Sequence, residues 1–367
     1  MEIPLSSPDI TEKEKTSVLE VLNSSILSQG EKIKTFEEMF CKYTGQKHSI
    51  AVNSGTSALH LAVKTLGLNE GDEIITSPFS FIASANCILM EKLKPVFVDI
   101  ERDTFNIDPD KIEEKITDKT RAILAVHIFG LPADMDKINE IAKKHSLQVI
   151  EDACESLGTE FNGKRVGSGN NTSIFAFYPN KQITTGEGGM IVTSDDKIAE
   201  LCRSLRNQGR NIKGDWLVYE RMGYNYRMSE LNATLGVAQM ERLDEILNKR
   251  NKISELYESK LKNLSEVKTI SVPENTKISW FVYIIKVNEK IRDKLMSYLE
   301  SKGIQTRPYF PPIHFEPFYK EMGYKEGDFP ITEEVSKQTM ALPFHNNLSE
   351  EEIDYVVEAI SDFFKFP

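Results

Sequence analysis

The chain has 367 residues, enough for about two domains at roughly 150 residues each, and enough to bury a core without disulfides or metals. Hydrophobic residues make up 40% and charged residues 28%, which is typical of a globular protein and unlike a disordered or fibrous chain. Lysine and arginine number 45 against 56 aspartates and glutamates, giving a net charge of −11. This excess of acidic residues disfavours nucleic-acid binding.

The four cysteines stand far apart without a CxxC pair, and the six histidines are scattered. We therefore expect neither a metal site nor a disulfide framework, and reduced thiols favour a cytoplasmic location. The N-terminal segment shows no signal-peptide pattern, and no run reaches the ~20 apolar residues that a membrane span needs. Contact with a membrane is not expected.

The first half of the chain alternates between strand and helix patterns. Its opening predicts a helix that begins with a capping box of Thr11 and Glu14. Seven apolar, β-branched runs follow, and the early ones are separated by amphipathic helices, which predicts a mainly parallel sheet covered on both faces. Because the last two runs are joined by too few residues for a parallel crossover, they should be antiparallel and the sheet mixed. The predicted strands are 49–54, 73–77, 95–100, 122–130, 147–153, 173–179 and 189–194.

The pattern after residue 194 is mostly helical. Residues 228–264 suggest one long amphipathic helix joining two domains, and a strand, a helix, a proline-rich loop and a final helix follow. Ser349 and Glu352 again have capping-box spacing. We therefore predict a large α/β domain over residues 1–246 and a smaller α+β domain over residues 247–367.

Three features fall at carboxyl ends of predicted strands, where parallel α/β sheets bind ligands. The turn at 53–58 offers a glycine, hydroxyl groups and a helix N-terminus, which can cradle a phosphate, although an ordinary helix cap has the same pattern. Asp152, after Glu151, could bind a ligand or only cap a helix or form an ion pair. Lys181 precedes a glycine-rich turn and could be a positioned nucleophile or a plain surface lysine.

Together these features are what pyridoxal 5′-phosphate (PLP) requires. The cradle would hold the phosphate, and Asp152 would keep the pyridinium nitrogen protonated. Lys181 would bind the aldehyde as a Schiff base and, once displaced, would move a proton. An aromatic side chain should cover the ring, and Phe79 and Phe81 follow the second predicted strand.

An ordered series of segments over nearly the whole chain resembles the DegT/DnrJ/EryC1/StrS family of PLP-dependent nucleotide-sugar aminotransferases. These segments include SGTSALHLAV, GDEIITSPFSFIASANCI, VIEDACESLG, FYPNKQITTGEGGMIVT and GYNYRMSELNATLGVAQMERLD. The resemblance implies PLP-dependent transferase fold type I, similar to aspartate aminotransferase. It also implies pyridoxamine 5′-phosphate as the intermediate form of the cofactor.

The resemblance also implies roles for single residues. Lys181 matches the Schiff-base lysine, Asp152 the acid on the ring nitrogen, and Phe81 the stacking aromatic. Glu155 falls near the cofactor's phenolic oxygen, where many relatives have glutamine. At the Ala176 position many relatives have a phosphate-binding serine, so that contact is in doubt. The phosphate-contacting turn corresponds to Gly55, Thr56 and Ser57.

Asn225 and Arg227 in GYNYR resemble a segment that reaches a neighbour's active site, which implies a homodimer with shared sites. Arg307 and His314 flank YFPP, a region that relatives use around the nucleotide-sugar. A further basic stretch is either another substrate contact or a solvated helix face; it contains Arg203, Arg206, Arg210 and Lys213.

The segment NKQITTGEGGMIVT resembles perosamine synthases, which act on a GDP-linked 4-keto-6-deoxy sugar. The resemblance implies amino transfer from glutamate to a nucleotide-linked keto sugar, in amino sugar synthesis for surface polysaccharide or glycoconjugates. Glu155 favours C4 of the sugar, because among relatives glutamine at this place tends to accompany C3 transfer. A C3 aminotransferase, a PLP-dependent dehydratase or lyase, and a non-catalytic regulatory homologue stay open. Lys181 argues against the dehydratase branch, which has histidine there, and Lys181 with Asp152 argues against the regulatory homologue.

Overall fold

The computed structural model describes residues 1–211, 215 and 217–365. Both predicted capping boxes are present, Thr11 with Glu14 at the first helix and Ser349 with Glu352 at the last. No helix in these residues is long and apolar enough to cross a membrane. Short 3₁₀ helices cover Pro109–Lys111, Glu113–Lys115, Ile128–Gly130 and Ile313–Phe315. The α-helices are α1 (Glu12–Leu22), α2 (Glu31–Thr44), α3 (Gly55–Thr65), α4 (Ala83–Met90), α5 (Met135–His145), α6 (Asp196–Leu205), α7 (Glu230–Met240), α8 (Leu243–Leu261), α9 (Glu289–Ser301), α10 (Pro317–Glu321), α11 (Pro330–Gln338) and α12 (Glu350–Lys365).

The strands are β1 (His48–Val52), β2 (Glu73–Thr76), β3 (Lys94–Phe97), β4 (Thr120–Val126), β5 (Gln148–Asp152), β6 (Glu160–Phe161), β7 (Lys164–Arg165), β8 (Thr172–Ala176), β9 (Gly189–Thr193), β10 (Lys268–Thr269), β11 (Thr276–Lys277), β12 (Tyr283–Lys286) and β13 (Thr339–Leu342). The seven predicted strands form one sheet in the order β1-β9-β8-β5-β4-β2-β3. Its central pairs are parallel, and β9 lies antiparallel between β8 and β1. The predicted mixed seven-stranded sheet is confirmed.

The strands of this sheet are buried because helices cover both faces. Ile50 and Val52 of β1 belong to the core that includes α3, whereas Ala51 between them belongs to the core formed with Phe36 and Phe40 of α2. Adjacent side chains of a strand point to opposite faces, so a continuous apolar run is needed where both faces are covered. This explains why β2 and β9 are buried along their whole length.

The strand register brings the three features predicted from the sequence to one edge of the sheet. Val52 at the end of β1 pairs with Gly189, which also pairs with Ala176 at the end of β8. Asp152 at the end of β5 pairs with Ile174 of β8. Because β9 runs antiparallel, its first residue lies at the edge where β1, β5 and β8 end.

Two smaller sheets complete the fold. One has the order β10-β12-β13 and consists of residues that follow position 247. The other has the order β11-β6-β7 and pairs Thr276–Lys277 with Glu160–Phe161, across the predicted domain boundary. That boundary, between residues 246 and 247, falls inside α8. The division into 1–246 and 247–367 therefore stays a prediction.

The single long helix predicted over residues 228–264 is wrong. The chain forms two helices, α7 and α8, and Arg242 between them has non-helical angles of φ −109° and ψ 7°. The Arg242 guanidinium donates hydrogen bonds to the buried carboxylates of Asp9 and Glu14. This pairing with the N-terminal segment interrupts the helix, and apolar periodicity does not report a tertiary ion pair.

We expect the Arg242 network to stabilise the fold measurably. Arg242→Ala leaves the Glu14 carboxylate buried without a cation and leaves Asp9 with only Lys249, which should lower the free energy of unfolding by about 3 kcal/mol. Burial raises the pKa of Glu14, but hydrogen bonds from Thr11 and Arg242 outweigh this effect and lower the pKa from 4.5 to about 2. The stability difference should therefore be complete above about pH 4.5 and shrink as the pH falls towards 2.

Urea unfolding of both proteins at several pH values measures this difference. The matched control is Arg102→Ala, which removes an exposed pair with Glu334 and should cost under about 1 kcal/mol. Equal losses from the two substitutions would contradict the role given to Arg242.

Candidate active site

A cavity of about 480 Å³ lies at the edge of the sheet where β1, β5 and β8 end. Polar groups converge there among apolar walls, as is typical of a cofactor or small-molecule site. Over the described residues, no group of three histidine, cysteine, aspartate or glutamate side chains could hold a metal ion. The cavity lining includes Thr56, Asp152, Glu155, Lys181, Phe281 and Tyr309.

The turn after β1 has a geometry that suits an anion. The Ser54 hydroxyl caps α3 by accepting a hydrogen bond from the N–H of Ser57. Gly55 packs so closely on Ala176 that a Cβ at position 55 would lie 2.6 Å from the Ala176 Cβ. The positive end of α3 therefore meets the cavity. Ser57 itself is turned away, because its hydroxyl donates to the Asn53 side chain at 2.7 Å, and the cavity is lined by Ser54, Gly55 and Thr56.

Asp152, the last residue of β5, lines the cavity with a buried carboxylate. Its Oδ2 accepts a hydrogen bond from the Ser84 hydroxyl at 2.7 Å, and its Oδ1 accepts one from the Cys154 N–H at 3.2 Å. These bonds fix the carboxylate and partly offset the cost of removing it from water. Burial, and next the charge of Asp152, raise the pKa of the Cys154 thiol, so this cysteine is a poor nucleophile.

Lys181 lies between a carboxylate and an aromatic ring. Its Nζ is 3.5 Å from Oε1 of Glu155 and 3.9 Å from the centroid of the Phe281 ring, and its side chain is 12% exposed. Burial raises the pKa of Glu155, against the opposing effects of Lys181 and of the Phe129 N–H, which donates to Oε2 at 2.8 Å. The site thus places an amine beside a carboxyl group whose ionised form is disfavoured by burial.

The two phenylalanines after β2 have different environments. Phe79 is fully buried and packs against the rings of Phe105, Phe129 and Phe310, so it belongs to the core. Phe81 is 59% exposed and lines the cavity, where its flat apolar face can cover a planar ring. Of the two candidates for stacking, the structure therefore leaves Phe81.

This arrangement occurs in a chain that matches a known family along nearly its whole length. The family model of the DegT/DnrJ/EryC1/StrS aminotransferases matches residues 8–361. The chain belongs to this family. GDP-perosamine synthase of Escherichia coli O157:H7 is 38% identical to it over 99% of this chain and 98% of its own length, and that of Caulobacter vibrioides is 40% identical over 98% and 97%. The solved structure of the Helicobacter pylori aminotransferase involved in pseudoaminic acid biosynthesis is 31% identical, with a TM-score of 0.95 and complete coverage of both chains.

The protein is therefore a PLP-dependent sugar aminotransferase with the fold type I architecture of PLP-dependent transferases. The cavity residues fit this cofactor. Small residues at positions 55 and 176 leave room at the start of α3, and a fixed carboxylate stands near a lysine in the same cavity. These are the donor types that a phosphate, a pyridinium nitrogen and an aldehyde need.

Other predicted site residues of this aminotransferase lie outside the cavity of the single chain. Asn225 is exposed, and Arg227 donates hydrogen bonds to the side-chain oxygens of Asn207 and Gln208. Arg227 lines a separate cavity of about 280 Å³ together with the basic stretch that begins in α6; its arginines there are Arg203, Arg206 and Arg210. Arg206 forms an ion pair with Glu37, and Lys213 lies outside the described residues.

The two residues that flank YFPP differ in accessibility. Arg307 is exposed. Burial raises the pKa of the cavity residue Tyr309, and the positive charge of Arg307 acts in the opposite direction. His314 is fully buried, its Nε2 is 3.1 Å from Oε1 of Glu333, and burial lowers its pKa. The prediction that His314 binds substrate is corrected accordingly: its side chain supports the loop from inside and does not line the cavity.

Sequence reasoning missed several residues that shape this aminotransferase site. Ser84 orients Asp152, and Gln182 donates hydrogen bonds to the backbone oxygens of Glu155 and Ser279. Phe281 and Tyr309 reach the cavity from the C-terminal part of the chain. Ser84 and Gln182 lie within segments that resemble the family and could have been found there. Tyr309 belongs to the YFPP segment and could also have been found there, whereas Phe281 carries no local pattern that separates it from core aromatics.

Proposed function

We propose that this enzyme transfers an amino group from glutamate to C4 of a nucleotide-linked 4-keto-6-deoxyhexose, as in perosamine-type amino sugar synthesis. The observation that carries the proposal is similarity along almost the full chain to two GDP-perosamine synthases. Glu155 supports it, because its buried carboxylate lies beside Lys181 at the place where relatives distinguish C4 from C3 transfer.

The cavity residues have separate roles in this proposal. Bound PLP would supply an electron sink for the carbon that carries the amino group. The start of α3, with Gly55 and Thr56, would hold the phosphate, and Phe81 would cover the ring. Asp152, held by Ser84, would keep the ring nitrogen protonated, since an opposite charge favours the charged form. Lys181 would bind the cofactor and carry the proton between the reacting carbons.

Arg307 is the residue that we propose for the nucleotide-sugar. It is exposed next to the cavity residue Tyr309, and a guanidinium suits phosphate oxygens. Within the described residues Arg307 forms no ion pair, and its Nη1 donates a hydrogen bond only to the backbone oxygen of the adjacent Thr306 at 2.8 Å, so its charge is available to a ligand.

A substrate panel tests the proposed reaction. Purified holoenzyme is incubated with glutamate and with GDP-, UDP- or dTDP-4-keto-6-deoxy sugars, and products are identified by mass spectrometry and NMR. We expect 2-oxoglutarate and a 4-amino sugar in equal amounts, with the GDP sugar preferred. An amino group at C3 would overturn the C4 assignment, and turnover without glutamate would indicate a dehydratase or lyase. No turnover on any member would favour a regulatory homologue.

We further propose that the active unit is a homodimer in which Asn225 and Arg227 complete the neighbour's site. Asn225 is exposed and lies beside the cradle turn, since its carbonyl oxygen accepts a hydrogen bond from the Asn53 side chain at 3.4 Å. Alternate residues of the segment, Tyr224 and Tyr226, stack on each other, and both rings pack at an angle against His60 of α3. The segment is therefore anchored through its tyrosines, which leaves Asn225 between them exposed to another subunit. Arg227 follows directly and is held by Asn207 and Gln208.

Mixed dimers test shared sites. Subunits with Lys181→Ala are combined with subunits that carry Asn225→Ala and Arg227→Ala, after each homodimer is shown to be inactive. If the segment crosses between subunits, each mixed dimer has one intact site, and activity should return on mixing. If each chain completes its own site, no mixed dimer has an intact site. Absence of recovery despite demonstrated subunit exchange would therefore contradict the proposal.

A further inference from the structure

The contacts of the Lys181 amine suggest a role for a residue from the C-terminal part of the chain. The Nζ of Lys181 is nearly removed from water, and its recorded contacts are the Glu155 carboxylate at 3.5 Å and the face of Phe281 at 3.9 Å. The carboxylate is a weak counter-ion, because burial raises the pKa of Glu155. An aromatic face attracts a cation most strongly where water is excluded. The Phe281 ring therefore contributes to holding the Lys181 ammonium even when Glu155 is not ionised.

The ring of Phe281 is held in place through its backbone. Three consecutive carbonyl oxygens before β12 each accept hydrogen bonds from buried side chains. The oxygen of Ser279 accepts from Nε2 of Gln182 at 3.1 Å, and those of Trp280 and Phe281 accept from Nε and Nη2 of Arg250, each at 2.7 Å. Backbone this well fixed cannot shift its side chain without breaking several buried hydrogen bonds.

Arg250 is an unusual residue to find in this position. It is 5% exposed, burial lowers its pKa to about 10, and within the described residues no carboxylate lies within ion-pair distance of it. Its further contacts are the Asn346 side-chain oxygen at 3.2 Å and the Phe344 ring at 4.9 Å. Burying a guanidinium without a carboxylate partner costs free energy. Its use to bind the carbonyl oxygens of Trp280 and Phe281 indicates that the position of this backbone segment matters.

Gln182 connects the two sides of the lysine. Its Nε2 also donates to the backbone oxygen of Glu155 at 2.7 Å, so one side chain adjacent to Lys181 ties down both partners of the amine. Gly130 lies against the backbone of Ser279 and has a φ of +90°. A Cβ at position 130 would lie 2.0 Å from the Ser279 backbone oxygen. Any other residue at 130 would therefore push the segment away.

We propose that the face of the Phe281 ring binds the Lys181 ammonium whenever the lysine is not bonded to the cofactor, and we call this ring face the seat. Arg250 and Gln182 are positioning residues for the seat. In each half of an amino transfer Lys181 becomes an ammonium when it takes up a proton, and the seat holds this ammonium at the cavity until the proton is delivered. The inference rests on Lys181 being the cofactor lysine, but it does not depend on which sugar is the substrate.

Chemical labelling of the full-length protein tests the seat. The protein is loaded with pyridoxamine 5′-phosphate, which cannot bond a lysine, and is treated briefly with acetic anhydride across a pH series. Modification of Lys181 is quantified by peptide mass spectrometry, with the exposed Lys92 and Lys277 as internal references. Only the uncharged amine reacts, so the pH profile reports how well the charged form is held.

We expect Phe281→Leu to label Lys181 about fivefold faster near neutral pH, with the profile displaced to lower pH. Phe281→Tyr keeps the aromatic face and should behave like the wild type, and Phe281→Met serves if the leucine variant does not fold. Faster labelling by the same factor at every pH would indicate lost shielding alone and would overturn the charge-holding role. Unchanged labelling would overturn the seat itself.

The positioning residues are tested in the same assay. Arg250→Lys cannot hold both carbonyl oxygens, and Gln182→Leu releases the Ser279 oxygen, so each should shift the profile in the direction of Phe281→Leu. Wild-type profiles in both variants would overturn their positioning role. If borohydride mapping of the PLP form places the cofactor on another lysine, the assignment of Lys181 fails, whereas the labelling result still reports on the contact with Phe281.

Discussion

Replacing Lys181 with alanine is expected to lower kcat by about 10³-fold or more, because under the proposed mechanism the variant loses both the covalent anchor of the cofactor and the group that carries the proton. The fold should be retained, because the Lys181 side chain lies at the cavity and contacts only the Glu155 carboxylate and the face of the Phe281 ring among the charged and aromatic groups described. Steady-state kinetics with glutamate and the preferred keto sugar measures the loss. Borohydride reduction of the wild-type holoenzyme followed by peptide mapping should find the cofactor on Lys181.

The matched control is Lys277→Ala, which removes an exposed lysine paired with Glu160 and should leave kcat within about twofold. A cofactor label on any other lysine would refute the assignment. So would a Lys181→Ala variant that keeps an appreciable part of the wild-type rate.

Substitution of Asp152 by asparagine is expected to lower kcat by about 10²-fold. The asparagine side chain has nearly the same shape but no charge, so it cannot keep the ring nitrogen protonated, and losing one preorganised electrostatic contact typically costs this much. Binding of the cofactor phosphate should change little, because the cradle at Gly55 and Thr56 is separate from the carboxylate. Kinetics and equilibrium titration with PLP distinguish the two effects.

Ser84→Ala provides the graded comparison for this prediction. It removes the 2.7 Å hydrogen bond to Oδ2 but leaves the charge of Asp152, so its effect on kcat should be about tenfold or less. If Asp152→Asn turned over as fast as Ser84→Ala, the charge would have no role beyond orientation, and the pairing with the ring nitrogen would be wrong.

The parts of the fold that were predicted from the sequence are those with local signals. The seven strands were visible as apolar runs because both faces of the sheet are covered, and the short link between the last two dictated an antiparallel pair. The capping boxes were visible as fixed spacings. The break between α7 and α8 was not visible, because it depends on an arginine that pairs with residues more than 200 positions away.

The candidate site divides in the same way. Asp152, Lys181 and the turn at 53–58 could be predicted because each lies at or shortly after the end of a strand, and strand ends of a parallel sheet share one edge. Phe281 could not, since its position depends on hydrogen bonds from Gln182 and Arg250 that no spacing reveals. His314 was placed wrongly because a histidine next to a functional loop looks the same in sequence whether it faces the ligand or the core.

The place of β1 in the sheet has a consequence for how the protein is made. Among the described strands of the large sheet β1 pairs only with β9, and the paired residues, such as Val52 with Gly189 and His48 with Thr193, are roughly 140 positions apart. The cradle on β1 therefore cannot be completed until the ribosome has synthesised β9. Contacts of such long sequence separation slow folding, and an apolar strand that waits for its partner is exposed to aggregation. The nascent chain therefore completes the turn after β1 late, and we expect β1 to stay exposed until β9 has been synthesised.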